Sequence, residues 1–287
     1  LEINKNLPSK FGDYSYEVLD TKNTSKAKTD HIIQIGMYTF LLESIQGVLP
    51  KIFTIVLKDM KKEVVQLNQV YEFFKINKEL RKGGYNLYNH QNTGIKWLLN
   101  IERKCNGGLL VDEMGLGKTI QMISMMIANP LSLNLIVCPA SLITQWKSEI
   151  LKFAPSFVVN TNIDHIDRID HIDTSKQNVF ITSYNKLIRQ NNYCSLVYDR
   201  LICDEAHYFR NSKSKTFDKL CSIKSTIRWA ITGTPIQNYK QDLVSMFKFI
   251  RKEGEISDLI SKYMLRRTIG ELDFKLPKLT HNIKFIG

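Results

Sequence analysis

Five short apolar runs from about residue 85 onward set the strongest limit on the fold of this chain. They are GGLLVD, LNLIVCP, NVFITSY, DRLICDE and RWAITGT, and segments of helical length separate them. Apolar runs without an alternating polar face are typical of strands buried on both sides, as in a parallel sheet covered by helices. The sequence therefore predicts an α/β fold with a parallel sheet that binds its ligands at the carboxyl edge of the strands.

The composition predicts a globular protein that has a polyanionic partner. The chain has 287 residues, of which 43% are hydrophobic, and this is enough for one large or two ordinary domains. Forty Lys and Arg against 28 Asp and Glu give a net charge of +12, which favours binding to nucleic acid through phosphate neutralisation. The 5 widely spaced cysteines are typical of reduced thiols in an intracellular protein, nuclear or cytoplasmic. The sequence has neither a signal-peptide pattern nor a run of about 18 apolar residues, so no membrane partner is expected.

A charged junction that contains two glycines, INKELRKGGYN, divides the chain into a unit over residues 1–80 and a unit over residues 85–287. In the first unit YSYEVLDTK alternates as a strand, HIIQIGMYTFLLESIQG has helical spacing that ends at Gly47, and KIFTIVLKD is again a strand. A smaller N-terminal α/β domain is therefore expected. Because residue 1 is Leu and Gly287 follows a strand-like stretch, the sequence is expected to be a piece cut at both ends.

The segment MGLGKT follows the first apolar run and indicates a phosphate-binding loop. Its glycines allow the backbone amides to face phosphate oxygens, and the helix that follows adds its positive end. Lys118 is expected to reach the β and γ phosphates, and the Thr119 hydroxyl is expected to join a Mg²⁺ shell. The strict pattern has glycine where this chain has Asp112, and an ordinary glycine-rich bend is the alternative. The nucleotide contacts predicted in the loop are Met114, Gly115, Leu116, Gly117, Lys118 and Thr119.

A second segment, DRLICDEAH, places an acidic pair at the end of another apolar run. Asp204 could hold Mg²⁺ and Glu205 could polarise the attacking water. Such a pair alone is often a surface turn. Following a phosphate-binding loop, with both segments at carboxyl ends of predicted strands, it predicts an ATPase that uses ATP and Mg²⁺.

Six segments in order resemble the first RecA-like lobe of Swi/Snf-type ATPases, within the superfamily 2 helicases. They are DEMGLGKTIQ, CPASLITQW, ITSYNKL, DEAH, ITGTPIQN and YMLRRTI, and the resemblance covers about residues 85–287. This family has aspartate at the position of Asp112. The resemblance implies a RecA-like P-loop NTPase sheet, with Gln91 near the adenine and with His207 at the nucleotide site in contact with ITGTPIQN. It assigns Arg266 and Arg267 to structure or to docking between lobes.

The resemblance also implies how such a lobe works. ATP binds between two lobes, so a second RecA-like lobe of the same full-length chain is an expected partner, and without it the 287 residues should bind ATP weakly and hydrolyse it poorly. The ATP is expected to drive movement along double-stranded DNA that carries bound proteins. The expected DNA contacts are Ser141, Thr144, Thr182 and Ser183, and the expected coupling residues are Thr232, Gly233, Thr234 and Gln237. The alternative is a nucleotide-gated switch that never translocates.

The N-terminal unit carries a second candidate site. YEVLDTK puts Asp20 and Lys22 on one side of a strand, where a carboxylate could hold a metal and an ammonium could steady a nucleophilic water. Gln34 and Tyr38 share one face of the helix that follows. Together they resemble the RecB-like branch of the PD-(D/E)XK nucleases, which are restriction-endonuclease-like.

This second resemblance implies a partial nuclease domain. Its other acidic metal ligand should lie on an earlier strand, before Leu1, so residues 1–80 are not expected to cut DNA by themselves. The joint function expected from both units is ATP-driven tracking on DNA coupled to cleavage. The alternative is a noncatalytic DNA-binding or protein-docking module, in which the D-x-K pattern is a surface feature and Gln34 and Tyr38 simply pack.

Overall fold

A computed structural model of the protein describes residues 1–26, 29–67, 76, 79–80, 84–161, 172–233 and 239–272. The chain forms two compact units, each with its own sheet and its own apolar core. The first comprises Leu1–Leu87 with Ser124–Pro130, and the second comprises Tyr88–Ile123 with the chain from Leu131 onward. Within the described ranges, no helix has both the length and the apolar character needed to cross a membrane.

The first unit is a four-stranded sheet with a crossover helix. Its elements are β1 (Glu2–Asn4), β2 (Ser15–Thr21), α1 (Thr29–Gln46), β3 (Ile52–Val56) and β4 (Lys62–Gln66). The strand order is β1-β2-β3-β4, in which β2 and β3 are parallel and the two outer pairs are antiparallel. Because parallel neighbours need a long connection, α1 joins β2 to β3. The helix ends directly before Gly47, as the sequence predicts.

The second unit is built on a seven-stranded sheet whose neighbouring strands are all parallel. Its strands are β5 (Gly107–Leu110), β6 (Leu133–Cys138), β7 (Val158–Asn160), β8 (Asn178–Ser183), β9 (Val197–Cys203), β10 (Lys224–Ile231) and β11 (Met264–Leu265). The spatial order is β11-β5-β10-β9-β6-β8-β7. All five predicted strands are present, and the predicted α/β fold with a parallel sheet is confirmed.

Helices connect these strands and cover the sheet. They are α2 (Asn89–Cys105), α3 (Lys118–Ala128), α4 (Ile143–Phe153), α5 (Tyr184–Arg189), α6 (Asn192–Ser195), α7 (Lys215–Ser222), α8 (Tyr239–Phe249) and α9 (Ile256–Tyr263). Short 3-10 turns occur at Ala140–Leu142, Ala206–Phe209 and Ile269–Glu271. The strand order places the carboxyl ends of β5, β10, β9 and β6 side by side, and the loops that leave those ends carry the predicted motifs.

A buried polar network fixes the strand that leads to the acidic pair. Arg200 of β9 forms an ion pair with Glu102 of α2, and its Nη1 donates to Asn134 Oδ1 at 2.7 Å. Trp229 Nε1 of β10 donates to the same glutamate at 2.7 Å. Removing one partner of such a buried pair costs about 3–5 kcal/mol, because the other charge is left uncompensated. The network therefore fixes the positions of β9 and β10 relative to α2.

Candidate functional site

The loop between β5 and α3 has the backbone of a phosphate-binding loop. Gly115 and Gly117 have φ of 89° and 74°, which is the left-handed region that side chains other than glycine rarely adopt. A Cβ at Gly117 would also lie 2.3 Å from Gln91 Nε2, so a larger residue there would have to displace the buried Gln91 side chain. In the same loop, the Met114 side chain is exposed, whereas the Leu116 side chain is buried and anchors the loop. Helix α3 begins at Lys118, so its free backbone amides face the loop.

Lys118 lies among backbone carbonyls and carboxylates. Its Nζ donates to the carbonyl oxygens of Asp112 at 2.8 Å and Glu113 at 3.2 Å. Burial lowers the pKa of Lys118, and the carboxylates of Glu205, Asp112, Asp204 and Glu113 oppose that effect. A desolvated ammonium gains from a nearby anion, because its charge is poorly solvated by the protein alone.

Gly233, which follows β10, lies directly beside the Lys118 ammonium. A Cβ at this position would lie 2.6 Å from Lys118 Nζ and 2.9 Å from Met114 Cγ. Thr232 is buried, and its backbone amide donates to the Leu110 carbonyl at 3.1 Å. The first two predicted coupling residues therefore adjoin the loop, whereas Thr234 and Gln237 lie outside the described residues.

The acidic pair lies at the carboxyl end of β9. Asp204 is buried, and its Oδ2 accepts from Trp146 Nε1 at 2.9 Å while its Oδ1 accepts from the Glu205 amide at 2.9 Å. Burial raises the pKa of Asp204, and these two hydrogen bonds partly offset the rise. A carboxylate in this setting is stabilised in its charged form by a cation.

Glu205 is the strained residue of the site. Its φ of 52° and ψ of 55° are left-handed, a conformation that costs energy for a residue other than glycine and that clusters at functional positions. Its Oε2 is buried and has no hydrogen-bond partner among the described residues, although it lies 3.1 Å from His207 Nδ1. His207 is thus next to the acidic pair, and its predicted contact with ITGTPIQN remains a prediction.

These residues fit a nucleotide with a magnesium ion. Loop amides and Lys118 would hold the phosphates, and Thr119 in the first turn of α3 and Asp204 would hold the metal. Magnesium in such sites keeps waters and phosphate oxygens as further ligands, so one carboxylate is enough. Glu205 Oε2, which is buried beside His207 Nδ1 and accepts no hydrogen bond from the described residues, would be the acceptor for a water.

The start of α2 packs against the loop. Gln91 is buried, its Nε2 donates to the Leu116 carbonyl at 3.4 Å, and its Oε1 accepts from the Tyr88 amide at 3.1 Å. His90 Nε2 lies 3.1 Å from the same Leu116 oxygen, and its ring stacks on Tyr88 with an interplanar angle of 8°. Gln91 is therefore beside the loop, and its contact with adenine remains a prediction. Tyr88, half exposed, is an aromatic surface that motif matching did not single out.

The predicted DNA-facing segments differ in exposure. Ser141 and Thr144 are exposed after β6. Thr182 is completely buried on β8, and the Ser183 hydroxyl accepts from the Lys186 amide at 3.2 Å as the cap of α5. Their burial leaves Ser141 and Thr144 as the members of this set best placed to reach a ligand.

Two aromatic residues in the same segments reach the acidic pair, and neither was predicted from the sequence. Trp146 donates to the Asp204 carboxylate, and the Tyr184 hydroxyl donates to the Asp204 carbonyl at 2.6 Å. Tyr184 also stacks on Tyr208, with ring centroids 4.9 Å apart. Their positions within CPASLITQW and ITSYNKL were the available signal, but only the fold reveals where they point.

The structure brings the four N-terminal candidates together at the end of β2 and on α1. Lys22 Nζ lies 2.9 Å from Asp20 Oδ2 and donates to Gln34 Oε1 at 2.9 Å. Gln34 Nε2 in turn donates to the Tyr38 hydroxyl at 2.9 Å. Among the described residues, no group of three or more His, Cys, Asp or Glu side chains could hold a metal ion.

Comparison with known proteins places the second unit in a family. Residues 90–255, more than half of the chain, match the model of the SNF2-related domain. The SWI2/SNF2 ATPase core of Sulfolobus solfataricus, solved in complex with dsDNA, is similar with 30% identity and a TM-score of 0.55, over 64% of this chain and 45% of that one.

Curated relatives give the same result. DNA excision repair protein ERCC-6-like of Danio rerio is 35% identical over 261 residues, which is 70% of this chain and 18% of the relative. ATP-dependent helicase FUN30 of Saccharomyces cerevisiae is 31% identical over 200 residues, which is 63% of this chain and 17% of the relative. The chain thus spans less than a fifth of either relative, and the predicted first RecA-like lobe is confirmed. The chain belongs to the SNF2-related domain family.

Proposed function

We propose that this chain contains the first lobe of an ATP-driven motor that moves along double-stranded DNA. The observation that carries the proposal is the convergence of Lys118, Asp204 and Glu205 at one sheet edge, where burial desolvates both the Lys118 ammonium and the Asp204 carboxylate. An arrangement of this kind gains stability from phosphates and a divalent cation. The name of FUN30 as an ATP-dependent helicase and the duplex DNA bound to the archaeal core support the proposal.

Each residue of the site has a distinct proposed role. The loop amides and Lys118 bind the β and γ phosphates, and Thr119 and Asp204 hold Mg²⁺. Glu205 accepts a proton from, or orients, the water that attacks the γ phosphate. Gly233 lies against Lys118, so Thr232 and Gly233 are suited to sense the nucleotide. The coupling roles of Thr234 and Gln237 are proposed from the sequence.

The proposed DNA side is connected to the acidic pair by side chains. Ser141 and Thr144 are exposed on the turn and helix that also carry Trp146, and Trp146 donates to Asp204. Tyr208 is half exposed and stacks on Tyr184, which donates to the Asp204 backbone. A strand of DNA bound on this surface would thus contact segments whose side chains, Trp146 and Tyr184, hydrogen-bond to Asp204, the proposed magnesium ligand. The net charge of +12 favours such binding at low salt.

We expect the 287 residues alone to hydrolyse ATP slowly, and turnover to rise when a second RecA-like lobe and duplex DNA are present. The physical reason is that a single lobe leaves the γ phosphate exposed on one side, without the arginine that stabilises the transition state. Phosphate release would be measured for the 287-residue chain and for a longer chain with a second lobe, each with and without duplex DNA. Rapid hydrolysis by the single lobe would contradict the two-lobe proposal. Turnover in the longer chain that ignores DNA would favour a nucleotide-gated switch.

A second proposed activity, metal-dependent DNA cleavage, is favoured by the contacts from Asp20 through Lys22 and Gln34 to Tyr38. These contacts hold the Lys22 ammonium beside the Asp20 carboxylate, where it could steady the water of a metal ion that Asp20 would bind. The register of β1 with β2 pairs Glu2 with Glu17, and continuing it toward Asp20 leads to a position that precedes Leu1. An acidic residue on the same strand at that position would complete the pair of ligands.

In a chain extended at its N-terminus, we expect Lys22→Ala to lower metal-dependent cleavage by about 10²–10⁴-fold, the range typical of a lost acid-base group. ATP turnover should be unchanged. Cleavage of labelled duplex DNA and phosphate release would be measured on the same preparation, with the exposed Lys61→Ala as the matched control. Cleavage that persists in Lys22→Ala, or its absence from the unchanged extended chain, would favour the noncatalytic module.

A further inference from the structure

Asp112 departs from the phosphate-loop pattern and is completely buried. A buried carboxylate is stable only when a cation and hydrogen-bond donors face it. Arg267, which is 155 residues away in sequence, supplies both. Its Nε donates to Asp112 Oδ1 at 3.0 Å and its Nη2 donates to Oδ2, so the pair is bidentate.

The same guanidinium contacts the two helices that flank the loop. Nη2 of Arg267 donates to Gln121 Oε1 of α3 at 2.8 Å, and Nη1 donates to the His90 carbonyl of α2. Gln121 is completely buried, and its Nε2 lies 3.2 Å from both Asp112 Oδ2 and the Leu116 carbonyl, and 3.3 Å from the Gly117 carbonyl. Arg267 therefore reaches the backbone of the glycine turn through two intermediates, Asp112 and Gln121.

The backbone around Arg267 follows the outer side of the loop. Strand β11 pairs with β5, and beyond it the Val111 amide donates to the Leu265 carbonyl at 2.8 Å. The Glu113 amide then donates to the Arg267 carbonyl at 2.9 Å, and the Glu113 carboxylate accepts from the Ile269 amide at 2.6 Å. The loop is thus held by backbone hydrogen bonds to the segment from Leu265 to Ile269, and by the Arg267 guanidinium through Asp112.

We propose that Arg267 is a positioning residue for nucleotide binding, because it holds the loop from Asp112 to Gly117 in the shape that receives the phosphates. The inference rests on the proposed ATP site. Arg267 itself is directed at Asp112, Gln121 and the His90 carbonyl, so it acts on the nucleotide through the loop and not by contact. It also accounts for an aspartate where the strict pattern has glycine, since the carboxylate is the anchor for the arginine.

The shape of the guanidinium gives a discriminating variant. Arg267→Lys keeps the positive charge beside Asp112, so the buried carboxylate stays compensated, but a single ammonium cannot make the forked contact or reach both helices. We expect Arg267→Lys to weaken nucleotide binding by about tenfold and Arg267→Gln by more, since the second variant leaves a buried charge without its partner. In the Asp112→Asn/Arg267→Gln double variant that charge is absent. Its binding should therefore be no weaker than that of Arg267→Gln alone.

The experiment is titration of a fluorescent ATP analogue with Mg²⁺ into the 287-residue chain, at a temperature where circular dichroism shows each variant folded. Arg266→Gln is the matched control, because Arg266 is the exposed neighbour. Unchanged affinity in Arg267→Lys, with or without a lower Tm, would overturn the inference and leave only a structural role. Weaker binding in Arg267→Lys but not in Arg266→Gln supports it. Absence of binding both by the unchanged chain and by a longer chain with a second RecA-like lobe would overturn the proposed ATP site, and this inference with it. If only the longer chain binds, the same variants are compared in that chain.

Discussion

Replacing Lys118 by alanine is expected to weaken ATP binding by about 100-fold, since a charge-assisted hydrogen bond to phosphate contributes about 1.5–3 kcal/mol and Lys118 can make more than one. The folded chain should remain about as stable as before. Burial lowers the pKa of Lys118, which means that the fold disfavours its charged form, and its two described hydrogen bonds go to the backbone carbonyls of Asp112 and Glu113. Loss of the ammonium therefore removes a desolvation cost together with those bonds.

Affinity and stability should accordingly separate in this variant. Binding would be measured by titration with a fluorescent ATP analogue, and the free energy of unfolding by urea denaturation without nucleotide. Lys224→Ala is the control, because Lys224 is exposed at the amino end of β10, the edge of the sheet opposite to the site. A loss of stability as large as the loss of affinity would mean that Lys118 supports the fold, and normal affinity would remove it from the site.

The fold was predictable from sequence where burial is continuous. β6, β8 and β9 lie inside the parallel sheet, so each contains a short apolar run without alternation, LIVC, VFI and LIC, that leads into motif residues. β11 was not predictable, because it has two residues and exists through its pairing with β5. Its sequence, Met264–Leu265, carries no strand pattern by itself.

Parts of the site were predictable where a single short segment contains both the glycines that shape the loop and the side chain that would bind the ligand. Gly115, Gly117 and Lys118 are such a case. The contact of Arg267 with Asp112 was not, because it joins residues 155 positions apart and depends on where β11 returns to the sheet. For Thr182, residue type suggested a DNA contact, but the structure buries the side chain, and the contact remains a prediction. Every residue of β8 is buried, so alternation gave no sign of which side chains face outward.

Replacing Glu205 by glutamine is expected to lower ATP turnover by about 10²–10⁴-fold in a chain that also has a second lobe and duplex DNA, because an amide cannot take a proton from the attacking water. Binding of ATP should persist. The substitution keeps the left-handed backbone and the amide that donates to Asp204 Oδ1, so the proposed magnesium ligand stays in place. The buried Oε2 lies 3.1 Å from His207 Nδ1, so loss of its charge removes that contact together with the cost of burying the charge, and the free energy of unfolding should change little.

Single-turnover hydrolysis and nucleotide affinity of Glu205→Gln would be compared with those of Glu255→Gln, in which the same chemical change is made at an exposed position before α9. Slow hydrolysis with normal affinity only in Glu205→Gln assigns the chemical step to Glu205. Near-normal hydrolysis would exclude that role. His207, whose Nδ1 lies 3.1 Å from Glu205 Oε2, would then be the nearest alternative base, and His207→Gln would have to show the loss instead. Parallel losses of affinity and rate would instead mean that Glu205 acts by maintaining the metal site, because both steps depend on Asp204 and its cation.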